Sequence, residues 1–247
     1  MCILKPTFKV SYTLGWRLGF VSLMARLLNT VFILCLVGLV LTQDMKYEEF
    51  MTQIQACPKE CTCPLNFPRA VYCDNKGLKS IPNIPPHTWY LYLQNNLIEV
   101  LSAEALRNKG VLGAMNDLIH LYIDDNLLTS VPSPLPVNLE NLSLSRNRIS
   151  KIPVGVFSQL NKLNLLDLQS NKLMDDAVTE VSLKGLTNLV QINLAKNQLS
   201  TMPIGLPATT TQLYLDGNNI EKIPAGYFKG LPRVAFLSIC MQSFGPN

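Results

Sequence analysis

From residue 91 onward, apolar and polar positions recur in one fixed order. LYLQNNLI at 91–98 returns as LYIDDNLL at 121–128, LSLSRNRI at 142–149 and LDLQSNKL at 166–173. INLAKNQL at 192–199 and LYLDGNNI at 213–220 repeat it again. Alternation in each core predicts a short strand, with Leu166 and Leu168 turned inward and Leu165, Asp167 and Gln169 outward. One such strand per copy stacks in parallel on the next. Asn96, Asn126, Asn147, Asn171, Asn197 and Asn218 fall where each strand turns into the interior. A buried amide offers two donors and an acceptor, so a column of them can satisfy the backbone groups that the turn leaves unpaired. These asparagines are therefore structural. Between strands, IPVGVFSQL (152–160) and IPAGYFKGL (223–231) are expected to send Phe157 and Phe228 inward. Their prolines suit extended or turn structure better than full helices.

Six copies with the asparagine in register define a leucine-rich repeat, and so a solenoid of the α/β type. The expected architecture is a curved parallel sheet on the concave face, an extended or 3-10 convex side, and a disulfide-bonded N-terminal cap. The asparagines from Asn126 are spaced by 21, 24, 26 and 21 residues, and Gln242 takes the slot 24 further on. This short-long-long rhythm is preceded by one interval of 30, from Asn96 to Asn126.

The region before the repeats differs in character. Met24-Ala25-Arg26 is a short basic start, and Leu27 to Leu41 is apolar apart from Asn29, Thr30 and Gly38. That layout predicts a secretory signal, because the run is short for a membrane span of about 20 residues. The expected organisation is a leader over 1–43, an acidic tail over 44–56, a cysteine-rich cap over 57–73 and about seven repeats over 74–247. Lys5, Lys9, Arg17 and Arg26 are the only charges before Asp44. Without them, 21 Lys+Arg become 17 against 17 Asp+Glu, and the formal +4 falls to zero. Nucleic-acid binding then loses its electrostatic basis.

Four of the seven cysteines, Cys57, Cys61, Cys63 and Cys73, form C-x3-C-x-C-x9-C. A secreted context favours disulfides, and zinc sites use wider-set knuckles than three cysteines within seven residues. Four cysteines allow three connectivities, and spacing does not choose among them. No metal or other cofactor is expected. Catalysis finds little support: neither His87 nor His120 stands beside a serine or cysteine in a nucleophile motif. Asp124-Asp125 is a poor cation site, because adjacent residues at a strand end diverge.

With the cap and the rhythm, the segments CPKEC, VYCDNKGLKSIP, WYLYLQNNLIE, VPSPLP, LLDLQSNKL and PRVAFL resemble class II small leucine-rich proteoglycans. The resemblance covers about residues 57–239. It implies the pairs Cys57–Cys63 and Cys61–Cys73. It also implies a secreted matrix protein with N-linked keratan sulphate that binds fibrillar collagen and controls fibril diameter and spacing, above all in corneal stroma. Two departures stand out. The 30-residue interval holds LRNKGVLGAMNDL, where the family pattern expects another strand and an acceptor near Asn108. The chain also stops at FLSICMQSFGPN, ahead of the family's later repeats and C-terminal cap.

Asn141-Leu142-Ser143 is the only N-x-S/T sequon, so Asn141 is the expected glycan acceptor; Asn164-Leu165-Leu166 cannot serve. Tyr47, beside Asp44, Glu48 and Glu49, is a candidate for sulfation. The concave face should present Tyr90, Tyr92, His120, Tyr122, Asp124, Asp125, Asp167, Gln191, Asn193, Gln212, Tyr214 and Asp216. Tyr92, Tyr122 and Tyr214 share a template position and are expected to line up. Tyrosines with interspersed carboxylates suit a partner rich in arginine, lysine and amide groups. The alternative is a recognition receptor or decoy, tethered through an uncleaved 27–41. Phe236, Leu237, Ile239, Cys240 and Phe244 lie on an apolar last strand, so self-association through 234–244 is a further expectation.

Overall fold

Eight three-residue strands run along the computed structural model, which describes residues 56–100 and 115–240. They are β1 (Ala70–Tyr72), β2 (Tyr90–Tyr92), β3 (His120–Tyr122), β4 (Asn141–Ser143), β5 (Leu165–Asp167), β6 (Gln191–Asn193), β7 (Gln212–Tyr214) and β8 (Phe236–Ser238). Each pairs in parallel with the next, so the sheet order is the chain order. The register never slips: Val71, Leu91, Leu121, Leu142, Leu166, Ile192, Leu213 and Leu237 occupy one row. The apolar residue two positions further on belongs to the same face, and Leu91, Leu93, Leu166, Leu168, Leu213 and Leu215 are all fully buried.

The asparagine column closes each turn as its chemistry requires. Asn147 Nδ2 donates to the carbonyl oxygens of Leu144 and Ser145 in its own coil and of Ile123 in the coil before. Its Oδ1 accepts the N–H of Leu128 at 3.1 Å. Asn96, Asn126, Asn171, Asn197 and Asn218 repeat this pattern between successive coils. The residue before each asparagine has a positive φ: Asn95, Asp125, Arg146, Ser170, Lys196 and Gly217. That left-handed step turns the chain out of the strand, and glycine fills it only once.

The first strand was not among the sequence-based expectations. Ala70–Tyr72 lies inside the cysteine cluster, with Lys76 rather than asparagine in the ladder slot. Cys57–Cys63 closes the leading segment of the cap and Cys61–Cys73 ties that segment to the residue after β1, the pairs that the family resemblance implies. Thr62 and Tyr72 exchange backbone hydrogen bonds at 2.8 and 2.9 Å in an antiparallel bridge. The Arg69 guanidinium lies 4.4 Å over the Trp89 ring and adds a contact between cap and first coil.

The 30-residue interval leaves the ladder intact. Strands β2 and β3 pair directly, and Ile98 N–H reaches Asn126 Oδ1 across the interval. Residues near Asn108, the leader, Tyr47, Gln242 and Phe244 lie outside the described residues.

One expected inward residue is not inward. Phe157 is fully buried, and the following coil passes over it with Gly185 against the Phe157–Ser158 backbone. Phe228, its counterpart, is 36% exposed. Among the described residues no coil follows to cover it. Tyr227 takes the packed position instead, its hydroxyl donating to the Pro203 carbonyl at 2.5 Å, and Phe228 stands edge-on against that ring. Burial pushes the Tyr227 phenol pKa well up. On β8 Phe236 is 47% exposed and Leu237 half-buried; just past it Ile239 is half-buried and Cys240 is a free, exposed thiol.

Candidate binding face

Alternation places the first and third residue of every strand on the face away from the core. Those residues form two columns across the sheet. Ala70, Tyr90, His120, Asn141, Leu165, Gln191, Gln212 and Phe236 make one; Tyr72, Tyr92, Tyr122, Ser143, Asp167, Asn193, Tyr214 and Ser238 make the other. Aromatic rings fill both columns on β2 and β3, with Tyr72 ahead of them on β1; polar residues prevail from β4 to β7, apart from Leu165 and Tyr214.

The aromatic end is a stack. Tyr72 and Tyr92 lie with ring centroids 4.5 Å apart and planes 1° from parallel. Tyr92 and Tyr122 follow at 5.1 Å and 8°. In the adjacent column Tyr90 and His120 stack at 4.6 Å. Strand spacing of about 4.8 Å is close to the separation aromatic rings prefer, so in-register tyrosines on neighbouring strands stack without distortion. Burial, then the neighbouring tyrosines, pushes the Tyr92 hydroxyl pKa up. Tyr72 was absent from the expected face because β1 was unread. Tyr214, by contrast, does not join the stack. Ser143, Asp167 and Asn193 separate it from Tyr122, and it tilts against Phe236 at 5.0 Å instead.

Carboxylates stand among and past the strand ends: Asp167 in the second column, and Asp74, Asp124 and Asp216 two positions further on. Asp124 is only 6% exposed, which corrects its expected role as a free contact on the face. Its Oδ1 accepts from the hydroxyls of Ser143 and Ser145 and, at 2.9 Å, from the Ser145 N–H. It is a buttress between β3 and β4. Asp125 turns away on its left-handed backbone, and Arg146 Nε donates to both its oxygens at 2.7 Å. Burial raises the Asp167 pKa, against the opposing hydrogen bond from the Gln169 N–H. Asp216 accepts from the Ser238 hydroxyl. Tyr72, Tyr92, Asp74, Gln94, Asp124 and Arg146 together border an open groove of about 370 Å³ at this edge.

At the centre of the face stands Asn141. Its Nδ2 lies 2.8 Å from His120 Nδ1, which can only accept from an amide NH2. Burial holds the His120 pKa below its usual value, with Glu140 opposing. His87 lies off the sheet and pairs with Asp117 at 2.7 Å. Gln191, Asn193 and Gln212 complete the polar half, with Asn193 Nδ2 reaching Gln169 Oε1 at 3.4 Å.

Comparison with known proteins agrees with this construction. A family model described as Leucine rich repeat N-terminal domain matches residues 56–85, and one described as Leucine rich repeat matches 137–199. Keratocan of Danio rerio is 63% identical over 218 residues, covering 80% of this chain and 63% of its own length. Keratocan of Homo sapiens is 50% identical over 203 residues, covering 74% of this chain and 58% of its own. Prolargin of Rattus norvegicus is 49% identical over 199 residues, 73% of this chain and 53% of its own. A chain of the solved octameric complex of Latrophilin 3, Unc5D and FLRT2 superposes with a TM-score of 0.65 at 32% identity, covering 74% of this chain and 54% of that one. The chain thus spans 53–63% of the length of these curated relatives. Cap, repeats and sheet register are those of a leucine-rich-repeat solenoid, and over 73–80% of its length this chain is similar to keratocan and prolargin.

Proposed function

We propose that this chain is the core of a secreted extracellular-matrix proteoglycan of the keratan-sulphate type. Its open sheet face binds fibrillar collagen and sets fibril diameter and spacing, as in corneal stroma. Similarity to keratocan supports the class. The observation that carries the binding reading is the Tyr72–Tyr92–Tyr122 stack with carboxylates beside it. Stacked tyrosines offer a wide, rigid contact at small entropic cost, and Asp74 at the same edge offers a carboxylate to arginine or lysine of a partner. Asn141 is the glycan acceptor and Tyr47 the sulfation site in this reading.

Co-sedimentation with reconstituted collagen fibrils tests it. Replacing Tyr72, Tyr92 and Tyr122 together by alanine should weaken binding at least tenfold, the order expected for losing central aromatic contacts. Tyr214→Ala, outside the stack, should change it little. Equal binding by the triple variant would place the collagen site off the sheet.

A further inference from the structure

The position of Asn141 bears on how the open face is used. It is the central residue of its column, with His120 on one side and Leu165 on the other. An N-linked sugar leaves one hydrogen on Nδ2. That hydrogen can keep the 2.8 Å contact to His120 Nδ1, which fixes the amide plane toward β3 and not toward β5. Next to it are the His120 ring and the Tyr90 ring stacked on it, with the Tyr122 hydroxyl 3.4 Å from the same nitrogen. Strands about 4.8 Å apart put Tyr90 about 10 Å from Asn141, within the span of two linked sugars. Stacked rings turn their faces to one another, so a sugar laid across them meets their edges and the Tyr90 and Tyr122 hydroxyls, which its own hydroxyls and acetamide can hydrogen-bond.

We propose that the glycan stem on Asn141 lies back over Tyr90, His120 and Tyr122, so that its presence withholds the aromatic half of the open face from a protein partner. Glycosylation then acts as a gate on that face and not only as a solubilising group. The gate rests on the reading of Asn141 as acceptor and of the face as the collagen site. The cover over the rings does not require collagen.

The test uses the full chain secreted from mammalian cells, compared with two variants that break the sequon differently. Ser143→Ala keeps the Asn141 amide beside His120 but loses a hydroxyl from Asp124. Asn141→Gln keeps Ser143 and alters the amide. A change shared by both is due to the glycan. Hydroxyl-radical footprinting read by mass spectrometry should show Tyr90 and Tyr122 oxidised several-fold faster in both variants, with Tyr214 unchanged as internal reference. Fibril binding should rise several-fold in parallel. Footprint change without collagen binding in any form would keep the cover and overturn the collagen reading. Equal labelling of Tyr90 and Tyr122 in all three proteins, or an unmodified Asn141 in the secreted chain, would overturn the proposal itself.

Discussion

Asn147 shows how much a single side chain carries in this architecture. Replacing it by alanine leaves the Leu128 N–H and the carbonyl oxygens of Ile123, Leu144 and Ser145 without their amide partner in a buried turn. The expected loss is about 3 kcal/mol in urea unfolding, since each unsatisfied buried group costs about 1–3 kcal/mol and some will find water. His120 gives a pH prediction. Its native pKa lies below the ordinary 6.5, through burial. Its contribution is therefore intact above the unfolded value and is lost as pH falls through the lower native one. His120→Phe keeps a ring for Tyr90 and removes the titration. Its urea midpoint should fall less than the parent's between about pH 7 and about pH 5. At this scale the asparagines were legible, because one residue type serves one hydrogen-bond pattern. The left-handed position before them was not. Asn, Asp, Arg, Ser, Lys and Gly all occupy it, so only backbone geometry reveals it.

Elements of this fold are so short that neighbours define them. The strand Ala70–Tyr72 was hidden because three residues in a cysteine cap carry no template of their own; pairing with Tyr90–Tyr92 makes it a strand. Phe228 was misplaced for the same reason, since burial of a convex residue depends on the next coil. Convex segments also touch backbone to backbone. A Cβ on Gly205 would sit 2.2 Å from Glu180 Cα, and one on Gly185 would sit 2.4 Å from the Phe157 carbonyl oxygen. Both have positive φ, but so does Gly77, where a Cβ would meet nothing within 4 Å. Gly77→Ala should therefore cost only the left-handed strain, about 1 kcal/mol. Gly205→Ala should cost about 3 kcal/mol or more, because two coils must part. Thermal melts of the two variants, run side by side, separate strain from clash; equal losses would refute the contact.

Across the molecule, stability passes from coil to coil, so damage should stay near its source. Cys61→Ser with Cys73→Ser removes the bond tying the cap's leading segment to its strand and should cost about 3 kcal/mol for a loop of this size. Hydrogen exchange should then quicken at Leu93 and Tyr90 far more than at Leu168 and Leu194; uniform quickening would mean one cooperative unit. The global fold was readable because a constant template repeats with its period. The arrangement of the face was less so. Tyr92, Tyr122 and Tyr214 share a template position, yet template position gives the column and not the distance along it. Counting strands supplies that distance. With no slip in register, the sheet is a ruler graduated in steps of about 4.8 Å. Tyr122 and Tyr214 stand four steps apart, about 19 Å, and β1 to β8 measures seven, about 34 Å. An extended chain rising about 3.1 Å per residue along that ruler covers the two aromatic marks in about six residues, two triplets of a three-residue repeat. A partner seated on the Tyr72–Tyr122 stack therefore reaches Tyr214 only two triplets later, as a separate mark that its hold on the stack does not need.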